Sequence, residues 1–139
     1  MPANYELNID HRVIEVAAWD TVGLGDIEEY LAELATLPAD LGKTIEHLDL
    51  GQVTDFVICP LGALQIARGY EKLMDRGLRG GVIYAPDEKS HETARMLIST
   101  FTSVCGDLPE GYRLTKTPLP IGDVRSYLHS REGSVALVA

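Results

Sequence analysis

Apolar and polar positions along the chain alternate between two rhythms, a two-residue period that predicts strands and a three-to-four-residue period that predicts helices. Tyr5, Leu7 and Ile9 alternate with polar neighbours, and Asp10-His11 can turn this segment into a second strand, Val13 to Ala18, giving an N-terminal hairpin. Ile27, Tyr30, Leu31 and Leu34 fall at i, i+3, i+4 and i+7, which predicts an amphipathic helix from about Asp26 to Ala35, with Pro38 just beyond its end. Thr44 to Leu50, with Ile45, Leu48 and Leu50, is a buried strand, and the alternation then fails over an irregular stretch, Gly51 to Cys59. Pro60 suits the first position of the next helix, where its missing N–H would be unpaired anyway. Ala63, Ile66, Tyr70, Leu73 and Met74 form that helix's apolar face, and Gly77 stops it after Arg76. Val82 to Ala85 is a short apolar strand. Asp87 or Ser90 can cap a third helix with the face Ala94, Leu97, Ile98, Phe101 and Val104, closed by Gly106. A strand around Tyr112 to Thr115 and a short helix, Ile121 to Leu128, complete the pattern.

Strands that alternate with helices need crossover connections. The fold class expected is therefore α/β, a mainly parallel sheet with an N-terminal hairpin strand at one edge and helices packed on it. The length of 139 residues suits one domain, taken as residues 1–130, with residues 131–139 as a C-terminal tail that only packing could order. A chain of this size buries roughly two thirds of its unfolded surface without a staple. The apolar share of 45% and charged share of 24% exclude disordered and fibrous classes.

Two cysteines, Cys59 and Cys105, without repeated spacing, suit a reducing compartment. Met1 to Arg12 carries Asn4, Glu6, Asn8 and Asp10 where a secretory signal needs unbroken apolar residues, and no run reaches membrane-spanning length, so a cytoplasmic location is expected. The formal net charge of −9 argues against nucleic acid and anionic membranes, because phosphate would meet repulsion over most of the surface. A basic protein surface or a small ligand fits better.

Familiar chemical motifs fail. Gly23-Leu24-Gly25 has Glu28 where a dinucleotide loop needs its third glycine, and the glycine-rich stretch Arg76 to Gly81 lacks the Lys-Ser/Thr ending of a phosphate loop. His11, His47, His91 and His129 share no ligand spacing with each other or with the cysteines, so neither metal nor cofactor is expected.

The stretch Asp49 to Leu64, DLGQVTDFVICPLGAL, has the form of a strand, a loop and a helix start. It resembles the signature of STAS domains, the SpoIIAA-like anti-sigma-factor antagonists, roughly DLSGVTFMDSSGLGAL, with identity at Asp49, Leu50, Val53, Thr54, Leu61, Gly62, Ala63 and Leu64. The order of elements fits over roughly Tyr5 to Leu128. The resemblance implies a non-catalytic regulatory module that docks on a protein kinase or signalling complex, switched by phosphorylation of a serine at the helix start. That position holds Ile58 here, its neighbour is Cys59, and the preceding aspartate is replaced by Val57. Without a hydroxyl there is no phosphate acceptor, so the expected action is stoichiometric binding. The binding loop would be Thr54, Asp55, Phe56, Val57, Ile58, Cys59 and Pro60. Partner docking would use the following helix, through Leu61 and the basic stripe Arg68, Lys72 and Arg76, in a homodimer or a larger complex.

Two alternatives stay open. Divergent SpoIIAA-like proteins resemble the SEC14-like lipid-binding fold, which implies a lipid or other small apolar ligand near Phe56, Val57, Ile58 and Leu61, residues that could equally pack inward or into a dimer contact. A thiol enzyme would use Cys59, activated by the helix dipole and by His47 or Asp49 from the preceding strand; the ordinary role of Cys59 is a small buried residue before a proline.

Overall fold

The computed structural model describes residues 3–106 and 110–130. The expected tail, residues 131–139, lies outside them. The elements are β1 (Ala3–Asn8), β2 (Val13–Gly23), α1 (Leu24–Thr36), β3 (Thr44–Val57), α2 (Pro60–Asp75), β4 (Leu78–Tyr84), α3 (Glu88–Cys105), β5 (Gly111–Thr115) and α4 (Ile121–His129). They form an α/β fold whose five strands lie in chain order, β1 antiparallel to β2 and every other pair parallel. The N-terminal hairpin and the mainly parallel sheet are those the periodicity predicts. No helix among the described residues is long and apolar enough to cross a membrane.

Each crossover steps one strand further in the same direction, and crossovers of one hand then place their helices on one face. Helices α1 and α2 accordingly pack over Ile14 and Val16 through Leu31, Leu34, Ile66 and Leu73, while α3 sets Ala94 against Ile83 and Leu114. Among the described residues, helix α4 covers the opposite face, where Val124 and Leu128 meet Val13, Ile45 and Val82.

Helix starts follow the local sequence. The Asp26 carboxylate accepts the Gly23 amide at 2.9 Å ahead of α1. The Cys59 sulfur accepts from the Gly62 amide at 3.4 Å with Pro60 as first residue of α2, and Asp87 accepts from the Lys89 and Ser90 amides to open α3. Gly77 ends α2 with φ +109, and a Cβ there would lie 2.6 Å from Gly42 Cα, so both conformation and space demand glycine.

The expectation of an irregular stretch at Gly51 to Cys59 is overturned: β3 continues to Val57, paired with a β2 that runs on to Gly23. The alternation fails because β3 carries two bulges. Between Ala17↔Asp49 and Trp19↔Gln52, and again between Asp20↔Val53 and Thr21↔Asp55, it holds one residue more than β2, and Thr54 is the unpaired residue of the second. Each extra residue flips the in/out pattern and bends the strand. Asp20, at φ +57, takes the left-handed conformation at this bend. β4 pairs with β3 only as far as Asp49↔Tyr84, so Trp19 to Gly23 and Gln52 to Val57 form a two-stranded ribbon projecting past the sheet.

Arginines lock the opposite end. Arg76 donates to the carbonyls of Leu34 and Ala39, both at 2.6 Å, tying the α1–β3 connection to the end of α2. Arg12 donates to the carbonyls of Asp40 at 2.8 Å and Gly42 at 2.6 Å, and Arg125 to those of His11, Arg12 and Lys43.

One cross-sheet row fixes the interior. Leu7, Ile14, Glu46, Gly81 and Tyr112 are successive register partners on β1 to β5. A Cβ at Gly81 would stand 2.5 Å from the Glu46 carbonyl oxygen and 2.8 Å from Cε2 of Tyr112, so the glycine is the gap through which the Tyr112 ring crosses β4 to reach Glu46. Gly81→Ala should lower the free energy of unfolding by about 2 kcal/mol or more, a buried clash on backbone. Gly25→Ala, where a Cβ meets nothing within 4 Å, should leave it unchanged or raise it slightly. Urea titrations of both variants check this pair, and equal effects would contradict the assigned role of Gly81.

Candidate functional site

Along β3, alternation sends Ile45 toward α4 and Glu46, Leu48 and Leu50 toward α1, α2 and α3. Glu46 is wholly buried, a rare position for a carboxylate. Three tyrosines from three elements donate their hydroxyls to it: Tyr30 of α1 and Tyr70 of α2 to Oε2, the latter at 3.2 Å, and Tyr112 of β5 to Oε1. Burial pushes the Glu46 carboxyl above its ordinary range, and the three phenols partly offset that by stabilising its charge. Burial and the neighbouring Glu46 charge push all three tyrosines well above the usual phenol range, so they remain protonated donors.

C-terminal to this cluster, between the sheet and the three helices, lies a cavity of about 500 Å³. Its floor includes Val16, Leu48, Leu50 and Ile83, its walls include Ile27, Ile66, Leu97 and Phe101, and Phe56 from the ribbon also lines it. Tyr30, Tyr70 and Tyr112 border it, placing the carboxylate cluster directly behind one wall. Small side chains keep the space open: Ala18, Ala67 and Ala94 are all lining residues. Asp26, Thr102 and Glu110 are its other polar liners. The volume and the mostly apolar wall with few polar groups have the character of a small-molecule site.

The residues singled out from sequence disperse around this cavity. Thr54 is the exposed bulge residue, and Asp55 pairs with Lys89 Nζ at 2.6 Å, which holds its carboxyl below the usual range and ties the ribbon to the start of α3. Phe56 enters the cavity. Val57 is 61% exposed, Ile58 packs on the main core, and Pro60 and Leu61 are exposed at the head of α2. The stripe Arg68, Lys72 and Arg76 does not act as one surface. Arg68 lies 4.0 Å from Glu71 and Lys72 is exposed, whereas Arg76 is committed to the carbonyls of Leu34 in α1 and Ala39 beyond it.

Cys59 is exposed rather than buried, because the ribbon carries β3 outward before α2 begins. His47 and Asp49 lie eight or more strand residues before Val57, a span on the order of 30 Å at the usual rise. The structure does not bring this trio together.

Glu46 and its tyrosines escaped the sequence reading. Tyr30 and Tyr70 sit at helical spacing on apolar faces and pass for core residues. The available signal was Glu46 itself, a charge inside an otherwise buried strand that obliges partners.

Because the native Glu46 carboxyl holds its proton more tightly than the unfolded chain does, folding takes up a proton between the two values. Its stabilising contribution is full below the unfolded value near 4.5 and is lost as pH rises through the native one. The wild type should therefore lose stability relative to Glu46→Gln as pH is raised above about 4.5 and through the native value. Urea unfolding of the two proteins across that range measures it, and parallel curves would contradict the assignment.

Compared with known proteins, the chain matches no family model, no curated protein and no solved structure.

Proposed function

We propose that this domain is a non-catalytic binding module whose cavity holds a small apolar molecule. The observation that carries the reading is the cavity of about 500 Å³ bounded by three helices and the sheet, apolar except for the tyrosine cluster and a few peripheral polar groups. An apolar hollow of this size that opens to solvent leaves its lining in contact with water, and an apolar ligand seated there would remove that area from water. The SEC14-like alternative drawn from the sequence also expects an apolar ligand, though of the residues it named, Phe56, Val57, Ile58 and Leu61, Phe56 alone lines this cavity.

The protein-docking reading taken from the STAS resemblance is favoured by a separate observation. Val57, Leu61 and Leu64 are 61%, 65% and 39% exposed, three large apolar residues around the ribbon end and the head of α2. This patch, with Arg68 and Lys72 further along the helix, is the surface on which a partner or a second copy would sit. No phosphorylation step is involved, since Ile58 and Cys59 stand where the resemblance puts hydroxyls.

Protein purified without detergent should release an apolar small molecule, seen as excess mass in native spectra. Emptied protein should bind the neutral dye N-phenyl-1-naphthylamine at one site per chain. Ala94→Phe, adding bulk inside the cavity, should weaken the dye by about tenfold or more, the loss of about two buried methylenes, with the circular dichroism unchanged. Absence of saturable dye binding would end the cavity reading. For the docking surface, sedimentation velocity should show self-association that Leu61→Asp abolishes; a wild type that stays monomeric at every concentration would remove the homodimer.

A further inference from the structure

The cavity's charges are of one sign. Among the described residues no Lys, Arg or His lines it, and its charged liners are Asp26 and Glu110. Glu110 is already matched by Arg79 at 2.6 Å, by Arg125 at 3.9 Å and by His129. Asp26 meets only the Gly23 amide among its described hydrogen bonds, and Glu46 meets only the three phenols. Three O–H donors converging on one carboxyl are the arrangement an ionised, acceptor-only group satisfies. The described residues thus place a buried carboxyl group behind the cavity wall with no cationic side chain bonded to it, and an ammonium group in the cavity would favour its ionised form.

The wall between that charge and the cavity is aromatic. Tyr70 stands edge-on to Phe101 (centroids 6.3 Å apart, planes at 88°) and to Tyr112 (6.1 Å, 78°), so neighbouring rings turn faces and edges in different directions around one space. Each tyrosine oxygen that gives its proton to Glu46 keeps lone pairs to accept another, and donation to a carboxylate makes that oxygen a better acceptor. A positive group in the cavity would meet phenol oxygens backed by Glu46 and the faces of electron-rich rings. An anionic head group set against these phenols and Glu46 would meet repulsion instead. A second hollow, between α3, β5 and α4, is bordered instead by cations, His91, Arg95 and Lys116.

Resting on the cavity reading above, we infer that the ligand is an amphiphilic amine, an apolar body carrying one ammonium group that sits against Tyr30, Tyr70 and Tyr112 with Glu46 behind them. Fatty acids and anionic lipids are the wrong sign for this site.

Three probes of one chain length separate the claims: decylammonium, 1-decanol and decanoate, each displacing N-phenyl-1-naphthylamine from the full chain at pH 7 below its micelle concentration. Decylammonium should displace the dye at about one tenth of the decanol concentration, with decanoate weakest of the three. Glu46→Gln should bind decanol as before and lose most of the preference for the amine. Decanol equal to or better than decylammonium, or decanoate the tightest, would overturn the amine assignment while leaving the apolar cavity standing. Displacement by none of the three would sink the cavity reading itself. A Glu46→Gln protein that keeps both decanol binding and the full amine preference would remove Glu46 from the account. Should that variant fail to fold, the ranking of the three head groups on the wild type still decides.

Discussion

A carboxylate buried on the middle strand of the sheet sets the terms for the rest of this molecule. Glu46 cannot stay in an apolar interior unpaired, and the fold brings it three phenols from α1, α2 and β5. That requirement runs through the packing. It fixes the rotation of two helices, since Tyr30 and Tyr70 must point their hydroxyls at one spot. It requires glycine at position 81, because the ring of Tyr112 reaches Glu46 across β4. Breaking one partner leaves a buried acceptor exposed to desolvation rather than merely deleting a contact.

The same cluster separates a solid half of the domain from a hollow one. Toward the N-terminal ends of the parallel strands, Leu34, Leu41, Leu73 and Leu78 pack without solvent access and arginines clamp the connecting loops. Toward the C-terminal ends, Ala18, Ala67 and Ala94 are among the residues that line the cavity, and the bulged ribbon brings Phe56 to its border. Close packing is concentrated at one end and open volume at the other.

Much of the architecture was legible in the sequence because it rests on local rules. Period-two and period-3.6 patterns placed all nine elements, Asp87 and Pro60 marked helix starts, and Gly77 marked a stop. The ribbon was hidden because its bulges shift the alternation twice, and a strand with a shifted pattern looks irregular in one dimension. The site was hidden for a different reason. Glu46 lies 16, 24 and 66 residues from its three partners, and only the crossovers make them neighbours. Arg76 shows the converse error: four-residue spacing puts it in line with Arg68 and Lys72, but its guanidinium turns back to the Leu34 and Ala39 carbonyls.

The central claim is that the space between the sheet and α1 to α3 is an occupied site. Methyl-resolved NMR of Ile-, Leu- and Val-labelled protein titrated with 1-decanol tests it most directly. Saturable shifts should appear at Leu48, Ile83, Leu97 and Ile98, while Ile45, Val82 and Val124 on the α4 face stay fixed. Shifts spread evenly over both faces, or none at all, would contradict it.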